Sequence, residues 1–251
     1  MIARMLTMLL LLVAAPASAA LTPDQLARAV ARPASGAVLP ANLRFIDVAG
    51  SPVTLGKVAA GHPLVLIFAD YTCAHICAPG LRLTQNALAQ TGLQAGTDYR
   101  VAVVGLDPKD GIAEARAMGE KMAVDPRVTR ATTLLLGDAV ATPAAAKALG
   151  YGYVYDAEND QFAHDASVYV FGPDGGLRAL LPEMALTPGA IKAALVGTAA
   201  PSFTERVAHL CYGLAAAHGP YGHAIVIGMQ ALSVLLLAAL AVFLLRRRRP
   251  A

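Results

Sequence analysis

A buried strand and a pair of cysteines lie side by side in LVLIFADYTCAHICAP, which runs from Leu64 to Pro79. Leu64 to Phe68 form a continuous apolar run, which is typical of a strand buried on both faces of a sheet. Cys73 and Cys77 follow at the point where this strand ends and a helix begins. Reactive groups in open α/β sheets gather at the carboxyl ends of the strands. The segment therefore predicts an α/β fold with a redox-active or metal-binding cysteine pair at the edge of its sheet.

The surrounding sequence alternates between strand and helix patterns. Residues 43–55 have the pattern of a hairpin, and a second hairpin is indicated where two apolar runs flank Gly172 to Gly176. This order predicts an α/β domain over 43–198, a thioredoxin-like mixed sheet flanked by helices. Beyond the first strand and the first hairpin, the pattern predicts strands over 101–106, 132–136, 167–171 and 177–181, and helices over 78–90, 112–123, 143–149 and 187–196.

The N-terminal residues have the pattern of an export signal. Arg4 supplies a positive charge, 5–15 is apolar, and Ala17 to Ala19 resemble a cleavage site. We therefore expect a signal peptide over 1–19. A flexible lead-in is expected over 20–42, which contains several turn-forming residues.

The C-terminal residues have the pattern of a membrane anchor. Residues 224–245 carry no charged side chain and are long enough to span a bilayer. Four arginines follow at 246–249, and a basic cluster directly after a span marks the cytoplasmic side. We expect a juxtamembrane segment over 199–223, one C-terminal transmembrane helix, and a cytoplasmic tail over 246–251.

The charge distribution excludes one class of partner. The formal net charge is +3, but without Arg4 and the arginines of 246–249 the remainder holds 15 basic and 17 acidic residues, a net of −2. A nucleic-acid-binding domain requires a basic surface to contact phosphates. We therefore expect no nucleic-acid partner.

The spacing of Cys73 and Cys77 permits two kinds of chemistry. Side chains four residues apart share one face of a helix, so the two sulfurs can form a disulfide or hold one soft metal ion. A helix N-terminus lowers the pKa of a thiol and favours the thiolate that both uses need. Two thiolates suit copper(I), whereas a structural zinc site usually needs a second cysteine pair. A plain disulfide in an oxidising compartment is the alternative.

Other side chains are candidates for the same site. His164 precedes the second hairpin and is the best candidate for a third ligand, whereas His75 is an alternative donor inside the motif. Asp70 and Asp107 each follow a predicted strand, where they could tune the site or simply end the strand. Cys211 is the odd cysteine, with histidines near it, and either handles metal or lies buried in a juxtamembrane helix.

These motifs together resemble the Sco/SenC family of cytochrome c oxidase assembly proteins. The resemblance rests on Cys73-x-x-x-Cys77, on VVGLDP at 103–108, and on His164 leading into YVFGPDG at 169–175. It implies a thioredoxin-like fold, and copper bound by Cys73, Cys77 and His164. It also implies either delivery of copper to an oxidase subunit or reduction of that subunit's cysteines.

The resemblance also implies a place in the cell. Some bacterial relatives are similar in carrying a C-terminal membrane helix. With the patterns at both chain ends, this implies a bacterial inner membrane protein with its domain in the periplasm and its C-terminus in the cytoplasm.

Two other functions remain open at this point. Cys73 and Cys77 could be the redox pair of a thiol–disulfide oxidoreductase that acts on a partner protein or on peroxide, with a thiol reductant protein as a further partner. The chain could also be a copper or redox sensor that signals through its membrane helix. A metallochaperone is favoured over an enzyme because His164 adds a third donor to the two thiols.

Overall fold

A five-stranded mixed sheet forms the centre of the protein. The structure is a computed structural model that describes residues 21–73, 76–198 and the helical positions 231, 233, 234, 236 and 237. In chain order the elements of 21–198 are α1 (Pro23–Arg28), β1 (Arg44–Ile46), β2 (Pro52–Thr54), α2 (Leu55–Ala59), β3 (Leu64–Ala69), α3 (Cys77–Ala89), β4 (Arg100–Gly105), α4 (Ile112–Met122), α5 (Pro126–Arg130), β5 (Thr132–Leu135), α6 (Ala141–Ala148), β6 (Tyr153–Asp156), β7 (Gln161–His164), β8 (Ser167–Phe171), β9 (Leu177–Pro182), a short 3₁₀ helix (Glu183–Ala185) and α7 (Pro188–Val196).

The strand order of the central sheet is β5-β4-β3-β8-β9. Strands β3, β4 and β5 run parallel, whereas β8 is antiparallel to both β3 and β9. Leu66 in the middle of β3 lies between Ala102 of β4 and Tyr169 of β8. The predicted mixed sheet flanked by helices is confirmed, and its order is the thioredoxin-like arrangement.

Strand β3 is central because all six of its side chains are buried. Successive side chains of a strand point to opposite faces, so β3 contributes to two separate cores. Val65 and Ile67 pack with α3, α4 and α7, while Leu66 and Phe68 pack with α2 and α6 on the other face. This explains why the strand is a continuous apolar run in the sequence, and it fixes the end of β3 at the carboxyl edge.

The N-terminal lead-in differs from the flexible segment predicted over 20–42. Helix α1 begins with a capping box, in which Thr22 and Gln25 each accept a hydrogen bond from the other's backbone N–H. Leu21 and Leu39 are buried in the domain. The segment is therefore part of the packed domain, because its apolar residues add to the core despite the turn-forming residues between them.

A further hairpin, formed by β6 and β7, lies beside the central sheet, where the sequence predicted only a loop. Its strands pair antiparallel, with His164 opposite Tyr153. The polar turn residues between Asp156 and Gln161 were visible in the sequence, but each strand has only four residues. His164 is thus placed by a strand rather than by a loop.

The membrane-targeting predictions concern other parts of the chain. The predicted signal peptide (1–19), juxtamembrane segment with Cys211 (199–223) and basic tail (246–251) lie outside the described residues, as does most of 224–245. Among the positions that the structure describes, no helix has both the length and the apolar character needed to cross a membrane.

Candidate functional site

The two cysteines lie between β3 and α3 at the carboxyl edge of the sheet. Cys77 is the first residue of α3 and is only 5% exposed, whereas Cys73 is half-buried in the preceding loop. His75, the alternative donor in the motif, lies outside the described residues. The strand-to-helix position predicted for the pair is the one observed.

The pKa of the Cys77 thiol differs from the expectation based on a helix N-terminus. A hydrogen bond with the Cys73 thiol and burial of the side chain raise the pKa of Cys77 well above its usual range, and the backbone N–H of Asp70 only partly opposes them. The effects of the Cys73 thiol and of burial on the pKa of Cys77 outweigh the effect of the helix N-terminus. The raised pKa favours the protonated form of Cys77, so a metal ion has to displace that proton in order to bind the sulfur.

His164 extends the cysteine pair at the end of β7. Its Nε2 atom lies 3.6 Å from the sulfur of Cys77. Its Nδ1 atom lies 2.7 Å from the hydroxyl of Tyr151 and 3.1 Å from the carbonyl oxygen of Asp165. Because the Tyr151 hydroxyl donates to that same carbonyl at 2.8 Å, we assign the ring proton to Nδ1. The lone pair of Nε2 then faces Cys77, as a metal ligand requires.

Tyr151 is a site residue that the sequence did not reveal. Its ring stacks on Phe68 of β3 with 4.3 Å between the ring centroids. Burial raises the pKa of Tyr151 well above its usual value, so its hydroxyl keeps its proton as a donor. Tyr151 therefore orients His164 while its own ring is held by the core of the sheet through Phe68. Tyr151 and His164 are 13 positions apart, and such a contact leaves no spacing motif in the sequence.

Buried carboxyl groups lie beside the cysteine loop. Asp70 is 0% exposed and is hydrogen-bonded, so it is not the solvated strand end that was one of its two interpretations. Asp107 is buried and its carboxylate lies 3.4 Å from the Nζ atom of Lys109. Burial raises the pKa of Asp110 to about 6, with a hydrogen bond from the backbone N–H of Tyr71 acting in the opposite direction.

Cys77 is the central member of the predicted set. It contacts Cys73 through the thiol–thiol hydrogen bond and His164 through its sulfur. Within 21–73 and 76–198, however, no three His, Cys, Asp or Glu side chains are grouped closely enough to hold a metal ion between them. The structure thus brings Cys77 into contact with each of the other two residues, and their joint ligation of copper stays a prediction.

The fold and these contacts define a class of protein. The class is that of thioredoxin-like domains in which a cysteine pair at the start of a helix is joined by a histidine from a neighbouring hairpin. Within that class, the chain belongs to the SCO1/SenC family, whose sequence model matches residues 32–199. The predicted family is therefore confirmed.

Solved structures show the same fold at low sequence identity. Arabidopsis thaliana ScoI with copper bound is 16% identical, with a TM-score of 0.52 over 66% of this chain and 98% of its own. A SCO1/SenC family lipoprotein from Bacillus anthracis is 19% identical, with a TM-score of 0.53 over 62% of this chain and 91% of its own. BsSco, described as a member of the Sco family of cytochrome c oxidase assembly proteins, is 20% identical, with a TM-score of 0.51 over 67% of this chain and 96% of its own. No curated protein sequence matches the chain significantly.

Proposed function

We propose that this protein is a copper metallochaperone that binds copper through Cys73, Cys77 and His164 and delivers it to a copper centre of cytochrome c oxidase. The observation that carries the proposal is the 3.6 Å contact between the Cys77 sulfur and His164 Nε2, made by an imidazole whose Nδ1 atom is already held. A histidine that served only the core would not need its free nitrogen beside a thiol. Family membership supports the same function.

The chemistry of the donors suits copper(I). Two thiolates and a neutral imidazole are soft or borderline ligands, which copper(I) prefers over the harder oxygen ligands of magnesium or calcium. The hydrogen bonds at Nδ1 of His164 are of the kind that orients a ligating histidine. Only three donors are present in the proposed set, which suits a cargo ion that has to leave again better than a closed structural zinc site.

Protons oppose copper in this site. The pKa of Cys77 is raised, so binding of copper has to displace the proton of that thiol. Once the copper is transferred, the proton returns and the thiol–thiol hydrogen bond forms again. The stable protonated state of Cys77 therefore favours release of the cargo to a recipient with better ligands.

The relatives and the sequence patterns at the chain ends support a proposal for the client and the location. BsSco belongs to the Sco family of cytochrome c oxidase assembly proteins, and the Arabidopsis protein was solved with copper bound. The patterns of 1–19 and 224–245, and the lipoprotein nature of the Bacillus anthracis relative, support a membrane-attached, extracytoplasmic domain. We propose that the domain lies in the periplasm of a bacterium with its C-terminus in the cytoplasm, and that an oxidase subunit receives the copper.

Metal analysis of the purified, reduced chain tests the proposal. We expect one copper(I) ion per wild-type molecule and a clear loss of affinity in His164→Ala, because the imidazole supplies one of three donors. His62→Ala is the matched control, since His62 precedes β3 at the opposite end of that strand from the cysteines. Copper binding by His164→Ala with wild-type stoichiometry and affinity would exclude the three-ligand site.

Tyr151→Phe tests the orientation of the imidazole separately. The variant keeps the stack on Phe68 and removes the hydroxyl that lies 2.7 Å from Nδ1 of His164. We expect copper affinity to fall by about 10- to 100-fold, the usual effect of losing a partner that orients a metal ligand. Competition with a chelator of known affinity measures this, with Tyr169→Phe as control, since its hydroxyl donates to the carbonyl of Leu149. An unchanged affinity in Tyr151→Phe would show that the Asp165 carbonyl alone orients the ring.

Thiol–disulfide exchange is the second candidate function. The contact between the two thiols and their unequal burial favour it, because Cys73 is the more accessible sulfur and Cys77 is in position to resolve a mixed disulfide. The electrons for a recipient's disulfide would come from the two thiols, which a thiol reductant protein would restore. Reduction of a disulfide or peroxide by copper-free protein, unaffected by His164→Ala, would favour this function over the metallochaperone.

A further inference from the structure

The carboxylate of Asp70 connects the two segments that carry the proposed ligands. Its Oδ1 atom accepts hydrogen bonds from the backbone N–H of Thr72 at 3.0 Å and from the Thr72 hydroxyl at 2.9 Å. Its Oδ2 atom accepts one from the backbone N–H of Phe162 at 2.9 Å. One buried side chain at the end of β3 thus holds the cysteine loop with one oxygen and strand β7 with the other.

Both contacts are close to a proposed ligand. Thr72 directly precedes Cys73, and Phe162 lies two positions before His164 on β7. Residues two apart on a strand point to the same face of the strand. A hydrogen bond that fixes the backbone at Phe162 therefore also fixes the position of the His164 side chain relative to the cysteine loop. The β6–β7 hairpin is a two-stranded sheet separate from the central one. It contacts the rest of the domain through the packing of Tyr153 and Phe162 against the core and through the hydrogen bond from Phe162 to Asp70.

We propose that Asp70 is a positioning residue that holds the His164 strand against the cysteine loop and so sets the spacing of the copper site. This inference rests on the proposed function and adds a residue that does not itself touch the metal. It explains why a carboxylate is buried here at all. Burial of a charge is costly unless hydrogen bonds compensate for the lost water, and the three donors from Thr72 and Phe162 do so.

The chemistry of the side chain makes the role specific to aspartate. Each carboxylate oxygen accepts, whereas an asparagine offers one oxygen and one NH₂ group that can only donate. Asp70→Asn keeps the size of the side chain but can satisfy only one of the two segments. Asp70→Ala removes both connections.

The experiment uses purified full-length protein in the reduced state. The first measurement is made without copper and reports how firmly the β6–β7 hairpin is held. Amide hydrogen exchange at Phe162 is expected to accelerate by about tenfold or more in Asp70→Ala, because its N–H loses a charged acceptor. The matched control is Asp47→Ala, which removes a carboxylate that accepts N–H bonds from Ala49 and Ser51 in the β1–β2 turn. This control should leave exchange at Phe162 unchanged.

Copper affinity is then measured by chelator competition for the wild type, Asp70→Ala, His164→Ala and the double variant. We expect Asp70→Ala to weaken binding by about 10- to 100-fold, and to have little further effect once His164 is absent. An equal loss from Asp70→Ala in both backgrounds would overturn the proposal, because Asp70 would then act on the cysteine loop or the whole fold. Unchanged affinity together with unchanged exchange at Phe162 would also overturn it.

A second variant keeps the proposal testable if Asp70→Ala does not fold. If Asp70→Ala does not fold, Asp70→Asn is compared with the wild type by the same two measurements, and the same two outcomes decide. Failure of the proposed function is separately visible. If the wild type binds no copper, the metallochaperone proposal fails, while the exchange at Phe162 still reports whether Asp70 holds the hairpin.

Discussion

Serine in place of Cys77 is expected to abolish tight copper binding, with a loss of affinity greater than the roughly 100-fold maximum usual for partners outside the ligand set. Cys77 contacts both Cys73 and His164, so its removal takes away the donor that the other two have in common as a neighbour. The oxygen of serine is a hard, protonated donor at neutral pH and is a poor replacement for a thiolate on copper(I). Chelator competition on the reduced chain measures the loss.

Replacement of each of the other two cysteines, one at a time, shows whether the loss of affinity is specific to Cys77. Cys73→Ser removes a thiol that contacts Cys77, so we expect a large but smaller loss, because Cys77 and His164 stay in contact. Cys211→Ser is the matched control for loss of any thiol, and it should bind copper as the wild type does. If Cys77→Ser retained wild-type affinity, neither the metallochaperone nor a copper site on this edge of the sheet could be maintained.

Glutamine in place of Glu183 is expected to stabilise the domain at alkaline pH. Glu183 lies buried in the 3₁₀ helix, with its carboxyl group near Thr84 and directly against the backbone at Gly80 of α3. Burial raises the pKa of this carboxyl group from 4.5 to about 7; the hydrogen bond from the Thr84 hydroxyl lowers it, and the charge of Asp165 adds to the rise.

The sign of the effect follows from proton binding. Between pH 4.5 and 7 the folded chain holds a proton at Glu183 that the unfolded chain has released, so stability falls as pH rises through this interval. Above pH 7 the ionised carboxylate lowers the free energy of unfolding by its full amount, about 3 kcal/mol for a pKa shift of this size. Glu183→Gln removes the titration, so its gain over the wild type should grow from near zero at pH 4.5 towards this value at pH 8.

Urea unfolding of both proteins at pH 5 and pH 8 measures the difference. Glu120→Gln is the matched control, because Glu120 is an exposed glutamate on α4 and the substitution changes the same charge. Asp110, with a pKa of about 6, titrates with the same sign and remains in Glu183→Gln, so a weaker fall in stability with pH should persist in that variant. An equal gain at both pH values would mean that packing, and not the buried charge, causes the change.

The central elements were predictable from the sequence because their patterns are local. The apolar run of β3, the cysteine pair after it and the hairpin around Gly172 to Gly176 each appear within a few residues and are found where they were predicted. His164 was recognised from its place before that hairpin. Its location on strand β7 was not, because a four-residue strand in an isolated hairpin leaves little periodicity.

The contacts that the sequence did not reveal join residues that are far apart in the chain. The hydroxyl of Tyr151 contacts His164 while its ring stacks on Phe68 of β3, and Asp70 accepts a hydrogen bond from Phe162, 92 positions further along the chain. The raised pKa of Cys77 was missed for a related reason. The helix N-terminus is visible in the sequence, whereas the burial of the thiol and its hydrogen bond with Cys73 depend on the folded environment.

The packing of the N-terminal segment has a practical consequence for work on this protein. The backbone N–H of Ala31 donates to the Asp165 carboxylate at 3.0 Å, and that of Arg32 donates to Gly150 beside Tyr151. Further along, residue 38 forms a bridge with Gly176 at the turn after β8. A shortened chain that begins at residue 43 would leave the Asp165 carboxylate without this donor, one position from His164. Soluble versions meant for metal titration should therefore begin at or before residue 21, so that the imidazole keeps its native support.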